Sequence, residues 1–186
     1  MTRQDVAGTA DQWLWAGSPN GGVVSENIDR ALISADLSAL TTQVMLSVGV
    51  PVQAGELVST IWFLSGNTAA GTPTNYWAAL YDVDGALMAQ SADKTNTAWA
   101  GDTAKSFAIT PVAAPVSGIY YAALMVKATT PPSLMGRSVN RAAAAGVIAT
   151  GQKVLAQTSG SGLTTTAPAT IATPTTVVNV PYVALR

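Results

Sequence analysis

The chain has 186 residues, a net charge of −1, and 10% charged residues against 48% hydrophobic ones. It contains neither histidine nor cysteine, which excludes disulfides, thiolate nucleophiles, Ser-His-Asp and Cys-His catalysis, and the usual zinc sites. An ordinary soluble domain carries roughly a quarter charged residues, so much of this surface is expected to be covered by partners or built of Thr, Ser and Ala.

The few charges are unevenly placed. All ten acidic residues lie at or before Asp102, against only Arg3, Arg30 and Lys94, a net of −7. Beyond it stand only Lys105, Lys127, Arg137, Arg141, Lys153 and Arg186, a net of +6. Either the two halves interleave in one sandwich and neutralise each other, or complementary subunits use the difference to assemble. Cations scattered singly do not form a nucleic-acid surface, and none is expected. Met1-Thr2-Arg3-Gln4-Asp5 has no apolar run after its positive charge, and no stretch is long enough to span a bilayer. The expectation is synthesis in the cytoplasm, without a membrane association.

In chain order, residues 1–40 read as an N-terminal arm, polar except for Trp13-Leu14-Trp15 and punctuated by Gly17-Ser18-Pro19-Asn20-Gly21-Gly22. The two indoles either cap the domain's own sandwich or anchor the arm in a neighbouring subunit, where buried aromatics dominate binding. Ser25–Leu40 offers a short helix or turn, with Asp36 as an N-cap.

Residues 41–157 read as a β-sandwich domain. Val44, Leu46, Val48 and Val50 alternate with Met45, Ser47 and Gly49, and Pro51 is expected to end that strand. A turn at Gln53-Ala54-Gly55-Glu56 leads into a strand over Leu57–Leu64, and Ser65–Thr74 is a loop. The densest segments are Asn75–Val83 and Gly118–Val126, which share an aromatic pair, then Ala-Ala, then Leu. They read as adjacent central strands. In the first, Tyr76, Ala78 and Leu80 share one face and Trp77, Ala79 and Tyr81 the other, so both faces are apolar and each needs a cover. Asp82-Val83-Asp84-Gly85 makes a tight hairpin into Ala86–Ser91. Further strands are expected at Thr103–Thr110 and Gly151–Gln157, with Pro111–Ser117 as a bridge and Arg141–Gly146 as a helical turn or a strand entry.

Residues 158–186 read as a low-complexity tether, Thr158–Thr176, followed by a C-terminal strand through Val177, Val178, Val180, Tyr182, Val183 and Leu185. Such a strand closes a sheet edge or adds to a neighbour's sheet. About nine short strands with turn signals between them describe an all-β fold, an antiparallel β-sandwich of jelly-roll type with extended N- and C-terminal arms.

A family resemblance rests on residues 50–136. Trp62-Phe63-Leu64-Ser65-Gly66, Gly71-Thr72-Pro73, Trp77-Ala78-Ala79-Leu80-Tyr81-Asp82, Gly85, Leu87-Met88-Ala89-Gln90-Ser91, Thr97-Ala98-Trp99-Ala100 and Gly118-Ile119-Tyr120-Tyr121-Ala122-Ala123-Leu124-Met125-Val126 resemble a β-sandwich module of structural proteins in tailed phages that infect actinobacteria. The resemblance implies a non-enzymatic role on the virion exterior, as a capsid decoration protein or a minor tail protein among other virion structural proteins. It brings no catalytic motif.

Asp82-Val83-Asp84-Gly85 opens like a calcium loop but lacks the later oxygen ligands and the closing Glu, so turn chemistry explains it better. An acid pair for glycoside hydrolysis would have to come from Glu56, Asp82, Asp84, Asp93 or Asp102, with no supporting pattern around them. No cofactor is implied. Trp77 and Trp99 are the candidates for stacking a host glycan, against the commoner reading of strand aromatics as core. The leading expectation is a homo-oligomer, with a trimer as one arrangement. It attaches to the particle through Trp13, Trp15, Val177, Val178, Val180 and Tyr182. The alternative is a carbohydrate-binding module for the host surface.

Overall fold

A computed structural model describes residues 25–186. Its strands in chain order begin with β1 (Ser25–Glu26), β2 (Ala35–Asp36), β3 (Met45–Val52), β4 (Leu57–Leu64) and β5 (Asn75–Tyr81). Next come β6 (Leu87–Gln90), β7 (Ala104–Ala113), β8 (Gly118–Lys127) and β9 (Met135–Ser138). After the short helix α1 (Arg141–Ala145) follow β10 (Ala156–Ser159), β11 (Thr175–Thr176), β12 (Asn179–Pro181) and β13 (Val183–Leu185). A 3-10 turn, Arg30–Leu32, is capped by the Asp29 carboxylate on the Ala31 N–H. Asp36, expected as a helix cap, lies instead in β2. α1 is capped by the Asn140 side chain on the Ala142 N–H, so the alanine run read as a helical turn or a strand entry is the former.

The fold is an antiparallel β-sandwich. One sheet has the order β1-β13-β4-β7 and the other β11-β10-β3-β8-β5-β6, with a small third sheet, β12-β9-β2, at the flank. The two densest segments are neighbours as expected: β5 pairs with β8, Ala79 opposite Ala123 and Tyr81 opposite Tyr121. Strand alternation then sorts their side chains. Tyr76, Ala78 and Leu80 enter the core between the sheets, with Val48, Val50, Tyr120 and Leu124 beside them and Ile61, Phe63, Phe107 and Leu185 among the residues packed against them. Trp77, Ala79 and Tyr81 join Met45, Tyr121 and Met125 in a second apolar cluster.

Three departures from simple alternation have local causes. Pro51 sits inside β3, opposite Ile119. The Gly49 N–H donates to Leu155 O on the β10 side, so position 51 faces that side too, past the end of β10, and no ladder donor is lost. β7 runs through Pro111 to Ala113, which an edge strand tolerates because its outward nitrogen has no partner to lose. Between Val58 and Thr60 the register shifts, Ser59 of β4 facing three residues of β7, Ile109, Thr110 and Pro111, and in β4 Val58, Ile61 and Phe63 are buried while Leu57 is exposed. The Ser59 and Thr60 N–H groups both donate to Arg186 O there, and β13 follows from that contact, pairing with β4 at Ile61–Phe63. In the third sheet Gly136 is enclosed so closely that a Cβ would run into the Val180 carbonyl and Pro181.

The Thr158–Thr176 stretch is not a free tether. Its first residues belong to β10 and its last to β11, and the residues between them cross the outer face of the six-stranded sheet as a strap. Leu163, Ala167 and Ile171 pack on the cluster around Trp77 and Tyr81.

Candidate functional site

The polar atoms of the outer sheet face hold the strap by its backbone. Trp77 Nε1–H donates to Thr164 O at 2.8 Å, Tyr81 O–H to Pro168 O at 2.8 Å, and Gln90 Nε2–H to Thr165 O at 2.8 Å. The Ala167 N–H returns a bond to Gln90 Oε1 at 2.7 Å, and the Leu87 N–H reaches Ala169 O at 2.9 Å. Burial pushes the Tyr81 phenol well above its ordinary value, and raises Tyr121 likewise. Both phenols stay neutral at physiological pH.

This arrangement corrects the glycan-stacking expectation. Trp77 is fully buried beneath the strap and Trp99 is 2% exposed, so neither ring has a face for a sugar. Trp99 plugs the core, edge-on to Tyr76 at 5.1 Å between centroids, its Nε1–H donating to Ser65 Oγ at 2.8 Å and Lys105 Nζ lying 5.2 Å from its ring. Burial lowers the Lys105 pKa.

All of the expected C-terminal contacts but Val178 are also turned inward. Val180 and Tyr182 are buried in their own chain, Val177 packs on the core between the sheets, and Val178 is 37% exposed. β13 sits between β1 and β4. Tyr182 O–H donates to Glu26 Oε2 at 2.7 Å, while Asn27 bonds both Pro181 O and the Val183 N–H. As folded, these residues close the chain's own sheets rather than a neighbour's. Trp13 and Trp15 lie outside the described residues.

The acidic candidates are occupied by turns or stand apart. Asp82 Oδ1 accepts from the Asp84 and Ala86 N–H groups, fixing the hairpin in which Gly85 takes a positive φ. Glu56 accepts from the Gln53 N–H, and Asp93 Oδ2 accepts from Asn75 and Thr95. Among the described residues no three acids gather as a metal-ligand group.

The surface that sequence reasoning missed is on the four-stranded sheet. Along the edge strand β7 the side chains of Ala104, Ser106 and Ala108 are exposed, and beside them Thr60, Trp62 and Leu64 of β4 are part-buried. No Asp, Glu, Lys or Arg stands among these six. The sequence signal was present in the alternation of Phe107 and Ile109 with small residues, which marks β7 as half-buried. No family model, curated protein or solved structure matches the chain.

Proposed function

We propose that this protein is a non-enzymatic structural component of a phage particle, attached to the exterior as a capsid decoration or tail-associated protein and working as a homo-oligomer. The observation that carries the assembly part is the use made of its reactive-looking side chains. Trp77, Tyr81, Gln90 and Asp82 spend their polar atoms on holding backbone in place. The outer face around Trp62 and the Ala104, Ser106 and Ala108 side chains of β7 carries no charged residue and is suited to packing against other protein. The virion setting rests on the resemblance of residues 50–136, whose motifs fall largely on β4, β5, β6 and β8 and on the Trp99 plug.

Gold-labelled antibody on intact particles of the source phage tests this. Label over the head makes the protein a decoration protein, and label on the tail a tail component. Particles without label end the exterior-virion reading.

A further inference from the structure

β7 is the terminal strand of its sheet, and its outer edge is specified by the bonds on the other side of β4. The Thr60 N–H donates to Arg186 O at 2.8 Å and the Arg186 N–H to Thr60 O at 3.0 Å. Both backbone groups of Thr60 therefore face away from β7. In an antiparallel pair the residue opposite such a position also turns its N–H and C=O outward. That residue is Ala108, and at two-residue steps along the same unbroken register, Ser106 opposite Trp62 and Ala104 opposite Leu64 do the same. None of the three makes a hydrogen bond to any other described residue from those groups. β6, of the other sheet, lies close to β7 without pairing with it.

Over Ala104–Ala108 this edge lacks the devices that keep such strands apart. A blocking edge carries outward lysines, prolines or bulges. Here the outward side chains are Ala, Ser and Ala, and the one lysine of the strand, Lys105, is drawn back over Trp99. Pro111 and the register shift near Ser59 lie beyond Ala108 and bound the open stretch at that end.

We infer that this edge is a self-pairing interface, on which β7 of a second copy of the chain docks antiparallel about a two-fold axis at Ser106. The three outward residues are evenly spaced, so the axis sets Ser106 opposite Ser106 and Ala104 opposite Ala108 on both sides. Three such pairs give roughly six hydrogen bonds. Small side chains meet small ones on the outer face, and the two four-stranded sheets become one continuous sheet. A two-fold contact is isologous and closes at two copies, so a trimer needs a different surface. The inference rests on the assembly reading above but fails separately from it. Unlabelled particles would end the virion role and leave pairing intact, while unpaired copies that still label particles would end only the pairing.

Sedimentation velocity of the full chain decides. Wild type is expected to sediment as a dimer of the 18.9 kDa chain. Ser106→Lys and Ser106→Glu, each placing like charges across the axis, are expected to sediment as monomers with unchanged circular dichroism. An equimolar mixture of the two should regain the dimer, which a general loss of stability would not produce. If either Ser106 variant does not fold, Ala104→Lys combined with Ala108→Lys puts lysine opposite lysine at the flanking pairs and is expected to give the same monomer. A monomeric wild type, folded variants that remain dimeric, or a charge-swapped mixture that stays monomeric would each overturn the pairing.

Discussion

The two outer faces of this sandwich solve the same problem in opposite ways. The face of the six-stranded sheet is aromatic and apolar, with Trp77, Tyr81, Tyr121 and Met125 on it, and the chain covers it with its own strap. The face of the four-stranded sheet is built toward β7 from Ala104, Ser106 and Ala108, and those side chains are left exposed. A strap rich in Thr, Ala and Pro can seal an aromatic surface because it is gripped by its carbonyls and closes with only a few apolar residues. Where the surface is already small and uncharged, no such cover is present among the described residues, and the backbone edge becomes the feature available to a partner.

The largest expected effect breaks the covered face. Trp77→Ala removes a fully buried indole together with its bond to Thr164, and should cost about 3 to 5 kcal/mol in denaturant unfolding. Trp62→Ala, on the part-buried opposite face, is expected to cost about 1 kcal/mol in the same measurement. Equal losses would remove the distinction between the faces.

Tyr81→Phe sharpens it, since the ring stays and only the hydroxyl's contacts with Pro168 O and Met45 Sδ are lost, about 1 kcal/mol near neutral pH. The Tyr81 phenol is raised above its ordinary 10.0 by burial. Its protonated form therefore contributes stability that is fully present below pH 10 and is lost as pH rises through the raised pKa. Tyr81→Phe should flatten that alkaline limb in a pH series of thermal midpoints.

Hydrogen exchange separates the faces without mutation. The amides of Ala167 and Ile171, bonded within the strap's contacts, should exchange slowly. Those of Ala104, Ser106 and Ala108 should be fast in Ser106→Lys and protected in wild type, as paired edges require. The smallest effect is expected at Ile148, 87% exposed beyond α1, where Ile148→Ser should change stability by no more than about 0.5 kcal/mol.

Much of the fold was readable from residue order. Alternation in Asn75–Tyr81 assigned each side chain to the cluster it occupies, the Asp82–Gly85 hairpin followed from turn chemistry, and the kinship of the two Ala-Ala segments marked neighbouring strands. The strap was not readable, because its partners recognise carbonyl oxygens, which every residue has. Nor was the register shift at Ser59, which a contact with Arg186 accompanies, nor the strand continuing through Pro111, which depends on β7 being an edge. For the candidate site the failure has a common cause. Trp77, Trp99, Val180 and Tyr182 were chosen as large apolar groups in need of a partner, and the chain supplied that partner itself.

The placement of β13 between β1 and β4 bears on how the molecule is made. Ser59 and Arg186, which meet at the register shift, are 127 residues apart in the chain. During translation β4 emerges long before the strand that completes it, and one of its edges stays bare until β13 has followed. Such non-local closure slows folding and leaves nascent strands open to mispairing between polysome neighbours.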